Sequence, residues 1–271
     1  MASDSKPLAG PLAKLDRARE HLESLDAGCE AFLEGDPYYV AVEFDSDAGC
    51  HFLRFRVREQ VPLRLSVIVG DIVHNLRSAL DQATWLLAGQ TKSFAELNKP
   101  GVRERISFPI TRSRPEFEAH KVIPFLQPAP LSTVAVMQPY ELDRPVQHHP
   151  LILLNELWNT DKHRTVHGGF AAVDLAPISF QPAAVHIEAF EDLQTEWLHP
   201  PGEGMEDGTN IARVRFGGAA APPAAKVDVK GKPTAQMMFG SGQIAFYPRT
   251  LDLMAGFVDT ILAALAVHLD P

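Results

Sequence analysis

The chain has 271 residues, 45% of them hydrophobic, and a formal net charge of −9 at neutral pH. That much apolar material supports a sizeable core and predicts a single domain over residues 1–271. The acidic balance argues against counterion-driven binding to nucleic acid or to an anionic membrane.

Leu12, Leu15, Ala18, Leu22, Leu25, Cys29 and Phe32 mix spacings of three and four, which predicts an amphipathic helix over 11–34. Gly35-Asp36-Pro37 stops it. Period-two runs at 39–44 and 52–58 flank the turn-rich Asp45-Ser-Asp-Ala-Gly49 and predict a β-hairpin. Arg54, Arg56 and Arg58 share one face of its second strand, read here as a solvated face, and Cys50 beside the turn is expected at the surface. Pro62 opens a long helix that runs to Ala88. Val69, Val73, Leu76, Leu80, Ala83 and Leu87 form its apolar stripe, while His74, Arg77, Ser78, Asp81 and Trp85 fall on the flank and back.

Prolines from Pro100 to Pro139 then punctuate an irregular stretch with short helical pieces. Between Lys92 and Lys121 the chain is locally basic, with seven Lys or Arg against four Glu. Pro150 starts a helix that ends before Gly168-Gly169, with Leu151, Leu154, Trp158 and Thr165 on its packing side. Glu156, Asn159 and His163 line up on another side at i, i+3, i+7. Strand-like pieces follow at 170–173, 185–190, 211–216, 236–239 and 243–247, with Gly240-Ser-Gly242 as a hairpin turn. Ala219–Ala225 reads as a connector. A last helix follows Pro248, apolar over most of its circumference through Met254, Phe257, Val258, Ile261, Leu262 and Leu265. Helices spread from end to end with hairpins between them predict an α+β fold, a helical bundle core packed on an antiparallel sheet.

Only Cys29 and Cys50 are present, too few for the disulfide framework of a secreted protein. Met1–Leu15 shows no basic stretch leading into an apolar one, and the most apolar run, 251–269, is broken by Asp252, Asp259 and His268. Neither a signal peptide nor a membrane span is expected, and a reducing cytoplasm is the expected setting.

The candidate site is the set His74, Arg77, Asp81, Glu156, Asn159 and His163. If the two helices meet, imidazole, carboxylate, guanidinium and amide groups converge. A binding or interaction module, working as a homodimer or on a small polar ligand, is the first reading. The second is a hydrolase or nuclease-like enzyme with His74 or His163 as general base, Asp81 or Glu156 orienting it, and Arg77 stabilising developing negative charge. A purely structural reading forks Arg77 onto Asp81 or Glu156, with His74 donating to a carbonyl. His74, Asp81, Glu156 and His163 would offer a metal two nitrogens and two oxygens. The Glu-x-x-His and His-Glu-x-x-His spacings are absent, so no metal or cofactor is expected. His148 and His149 stand at a helix start and are read as capping or surface groups.

The runs Gly70-Asp-Ile-Val-His-Asn-Leu-Arg-Ser-Ala-Leu-Asp81 and Leu153-Leu-Asn-Glu-Leu-Trp-Asn-Thr-Asp-Lys-His-Arg164 resemble the two signature segments of a family of actinobacterial proteins to which no activity is attached. Arg54–Glu59 and Phe108-Pro-Ile110 are similar to that family as well, and the resemblance covers residues 11–167. A remoter likeness is to HEPN ribonucleases, which carry Arg-x(4 to 6)-His on a helix of a dimerising bundle. Here the corresponding place after Arg77 is Gln82, which removes the imidazole that the HEPN mechanism requires and implies no ribonuclease activity through Arg77.

Overall fold

The structure, a computed structural model, describes residues 8–142, 145–161, 166–174, 179–183, 193–200, 203–216, 226–230, 234–241 and 244–269. It is an α+β fold whose residues group into two compact units. One comprises Met1–Asp26, Ser66–Val166 and Pro248–Pro271, and the other Ala27–Leu65 and His167–Tyr247.

The first unit is helical. It contains most of α1 (Ala9–Glu34) and α2 (Leu63–Ala88), the short helices α3 (Phe94–Leu97), α4 (Arg114–Glu118) and α5 (Pro128–Val136), and the longer α6 (Pro150–Asp161) and α7 (Pro248–Ala266). Burial follows the apolar spacing. Leu15, Ala18, Leu22 and Leu25 of α1 are buried, as are Val69, Val73, Leu76, Leu80, Ala83 and Leu87 of α2 and Leu251, Met254, Val258, Ile261, Leu262 and Leu265 of α7. An exposed ion pair, Arg19 to Asp259 at 2.6 Å, joins α1 to α7. The Pro-rich stretch holds three-residue 3₁₀ turns and the short helices, two of them opened by serine caps: Ser93 forms a capping box with Glu96, and Ser113 accepts from the Glu116 N–H.

The second unit is antiparallel β. β1 (Tyr38–Asp45) and β2 (Cys50–Val57) form the expected hairpin and extend to β7 (Asn210–Phe216) and β5 (Leu193–Trp197) in the order β1-β2-β7-β5. A second sheet has the order β10-β9-β3-β6, built from β3 (His167–Asp174), β6 (Gly204–Met205), β9 (Thr234–Ser241) and β10 (Ile244–Phe246). β4 (Ser179–Ala183) pairs with β8 (Lys226–Lys230). Period-two alternation sends Tyr38, Leu53 and Phe55 inward, where Tyr38 stacks on Phe55 at 5.2 Å and Phe170 meets Phe32, Tyr38 and Phe55. The outward residues of β2 are the arginines.

Several local expectations change. Cys50 is fully buried rather than at the surface, although its odd spacing puts it on the opposite face of β2 from Leu53 and Phe55. The arginine face is only half solvated, since Glu43 bonds both Arg54 and Arg56 and Asp36 pairs with Arg58 at 2.6 Å. The stop after α1 includes a left-handed residue, Asp36 at φ 61°. β4, β5, β6 and β8 carry no expectation in the sequence, and the expected strand at 185–190 and the connector at 219–225 lie outside the described residues. Among the described residues no helix is long and apolar enough to cross a membrane.

Candidate functional site

Arg77 and Asp81 stand one turn apart on α2, the spacing at which side chains on a helix meet. The Arg77 Nε donates to Asp81 Oδ2 at 3.2 Å, and Nη2 lies 3.0 Å from Asp81 Oδ1. The same two side chains grip both backbone groups of one residue of the Pro-rich stretch. Arg77 Nη2 donates to the Phe108 carbonyl at 2.9 Å, and the Phe108 N–H donates to Asp81 Oδ1 at 2.8 Å. From α6, the Trp158 ring lies 5.2 Å from the guanidinium carbon. Arg77 is 5% exposed, and its Nη1 is buried without a hydrogen-bond partner.

The segment held by this fork is fixed again further along. Thr111 donates to Gln138 Oε1 from both its N–H and its hydroxyl, at 3.1 and 3.0 Å, and Gln138 Nε2 donates to the Pro109 and Val134 carbonyls. Gln138 is fully buried. Side chains thus satisfy the Phe108 N–H and carbonyl, the Pro109 carbonyl and the Thr111 N–H of this non-helical segment, as buried backbone groups require.

The other residues of the expected set are distributed differently. Glu156 bonds the exposed Arg112 and not Arg77. His74 is exposed, with its Nε2 3.4 Å from the Ser78 hydroxyl. Its charge lowers the pKa of Asp161, which burial first and then Asp71 push up. Asp161 in turn lies against Gly70, where an added Cβ would come within 2.5 Å of Oδ1, so the end of α6 touches α2 at a residue without a side chain. Asn159 is exposed. His163 lies outside the described residues. Gln82, the place that the HEPN pattern gives to histidine, has its Oε1 3.0 Å from where a Cβ on Gly10 would stand, and so lies against α1.

His120 also acts on this site. His120, half-buried after α4, has its pKa lowered by burial first and then by the charge of Arg77, against the opposing pull of Asp81. Its Nδ1 accepts from the Val122 N–H at 3.3 Å, so the neutral ring carries its proton on Nε2. An isolated histidine in an aperiodic stretch gives no spacing signal. Among the described residues no group of three or more His, Cys, Asp or Glu is arranged to hold a metal.

Among the described residues, an open concavity lies in the β unit. A cleft of about 760 Å³ is bordered by Val61, Gly168, Gly169, Met205, Glu206 and Met238 among others. No family model, curated protein or solved structure matches this chain. The geometry alone must carry the functional reading.

Proposed function

We propose that this chain is a binding module, in which the Arg77 and Asp81 pair is a structural clamp and a ligand is taken by the cleft of the β unit. The observation that carries this reading is the occupation of Arg77. Three of its donor directions are taken by Asp81 and the Phe108 carbonyl, the guanidinium is covered by Trp158, and 5% of the residue reaches solvent. A group that stabilises developing charge must face the place where a substrate atom sits, whereas this one faces a peptide of its own chain. The test pairs function with folding. Arg77→Lys should lower the urea midpoint and leave ligand binding at the cleft unchanged. Loss of binding or of turnover in a variant as stable as the parent would refute the clamp.

A second reading is favoured by one observation. Arg77 Nη1 is unpartnered, and the neutral imidazole of His120 lies within its electrostatic reach. A hydrolase would use His120 as general base and Nη1 as the charge stabiliser once Trp158 moved aside. Phosphodiester hydrolysis abolished by His120→Gln, with the fold intact, would establish that reading over the first.

A further inference from the structure

Among the described residues, β3 is paired along one edge and largely open along the other. It pairs with β9 from His167↔Gly240 to Asp174↔Thr234. On its other side, among the described residues, it meets β6 only at Phe170↔Met205 and Ala171↔Gly204. β6 stops there because the chain turns: the Glu206 N–H donates to the Thr209 hydroxyl at 3.0 Å, the Thr209 N–H donates to the Glu206 carbonyl at 3.1 Å, and Gly208 adopts φ 88°. Along His167–Gly169, backbone groups of alternate residues thus face away from β9 with no strand of the described residues beside them. Such an edge is a template for another extended backbone. It borders the cleft.

The lining narrows the occupant. A Cβ on Gly168 would fall 2.4 Å from Val61 Cγ1, so Val61 packs directly on the bare backbone of β3 over one sheet face at the cleft wall. Val61, Met205 and Met238 offer apolar contact. Of the two acids at the rim, Asp207 is engaged by the Val57 N–H at 2.9 Å and by Arg56. Glu206 is exposed, and its carboxylate makes no ion pair among the described residues. The cleft is thus matched to a chain that alternates apolar and cationic side chains.

We infer that an extended basic peptide adds as a strand alongside His167–Gly169, continuing the line of β6, with a Lys or Arg side chain meeting Glu206. This rests on the binding-module reading and names the ligand of its cleft. The test follows the backbone amides of ¹⁵N-labelled full chain, where Gly168 and Gly169 fall in the sparsely populated glycine region, during titration with a pool of blocked pentapeptides Lys-X-Lys-X-Lys, X being Val, Ile, Thr or Tyr. The expected result is a shift and slowed hydrogen exchange at His167–Gly169, abolished by N-methylation of alternate peptide bonds and weakened roughly tenfold or more by Glu206→Lys. Equal binding of the N-methylated pool, or of a pool with Glu in place of Lys, would overturn the inference. If the peptides leave these amides unmoved while uncharged aromatic fragments shift them, strand addition is wrong and the binding cleft stands. If neither peptides nor fragments move them, both fail.

Discussion

At the scale of single residues, chemistry is decided by who is already bound. His149 is 6% exposed, and its Nδ1 accepts from the Leu151 N–H at 3.1 Å, which caps the start of α6. Its Nε2 is buried without a partner, against the Phe257 ring at 4.8 Å. Burial lowers the pKa of this imidazole, and that of His120 is lowered in the same way. A histidine with a depressed folded-state pKa is held neutral by folding. The unfolded chain then binds more protons, and stability is complete above the ordinary value of about 6.5 and falls as the pH drops below it. Thermal unfolding between pH 8 and pH 5 should therefore show a declining midpoint, and His149→Asn, which keeps a capping oxygen without titrating, should flatten part of the decline. A midpoint independent of pH over that range, beyond what the carboxylates explain, would contradict the assignment. Two glycines make an opposed pair of predictions. Gly70→Ala drives a Cβ into Asp161 Oδ1 and should cost about 1 to 2 kcal/mol. Gly256→Ala, exposed on α7 with open space around it, should gain about 0.5 to 1 kcal/mol from helix propensity. Chemical denaturation of the two variants reads both signs.

At the scale of elements, legibility in the sequence tracked periodicity. α1, α2, α6 and α7 and the β1 and β2 hairpin stand where apolar spacing or alternation puts them, because each buries one continuous stripe or face. β5 has an exposed Gln194, Thr195, Glu196 and Trp197 at the edge of its sheet, and β6 is two residues long. Neither leaves an alternation to read, since edge strands take their place from a neighbour's backbone and not from their own side chains. The same limit applied to the candidate site. Arg77 and Asp81 were legible because a helix fixes their spacing. Phe108, whose N–H and carbonyl they hold, enters by its backbone, which no side-chain pattern announces. By its spacing Trp158 falls on a packing side, and what it covers is a guanidinium. Glu156 went to Arg112, a partner from the aperiodic stretch.

At the scale of the whole molecule, the net charge of −9 bears on partners more than on fold. Arginines are present in number on the outer face of the first sheet, yet Arg54 and Arg56 share Glu43, and Arg213 pairs with Glu196. Purified protein should leave structured and single-stranded RNA uncleaved, and Gln82→His should not confer cleavage, because that place lies against α1; turnover by either chain would count against a binding module. The central claim, that Arg77 and Asp81 serve the fold, is tested most directly by urea unfolding of Arg77→Met, Asp81→Leu and the double variant. Each single change leaves a charge and the Phe108 peptide without its partner, at roughly 3 kcal/mol. The account predicts that the double variant loses less than the sum of the two by about 1 to 3 kcal/mol, with cleft binding intact in all three. Single variants as stable as the parent, with binding or turnover lost, would contradict it.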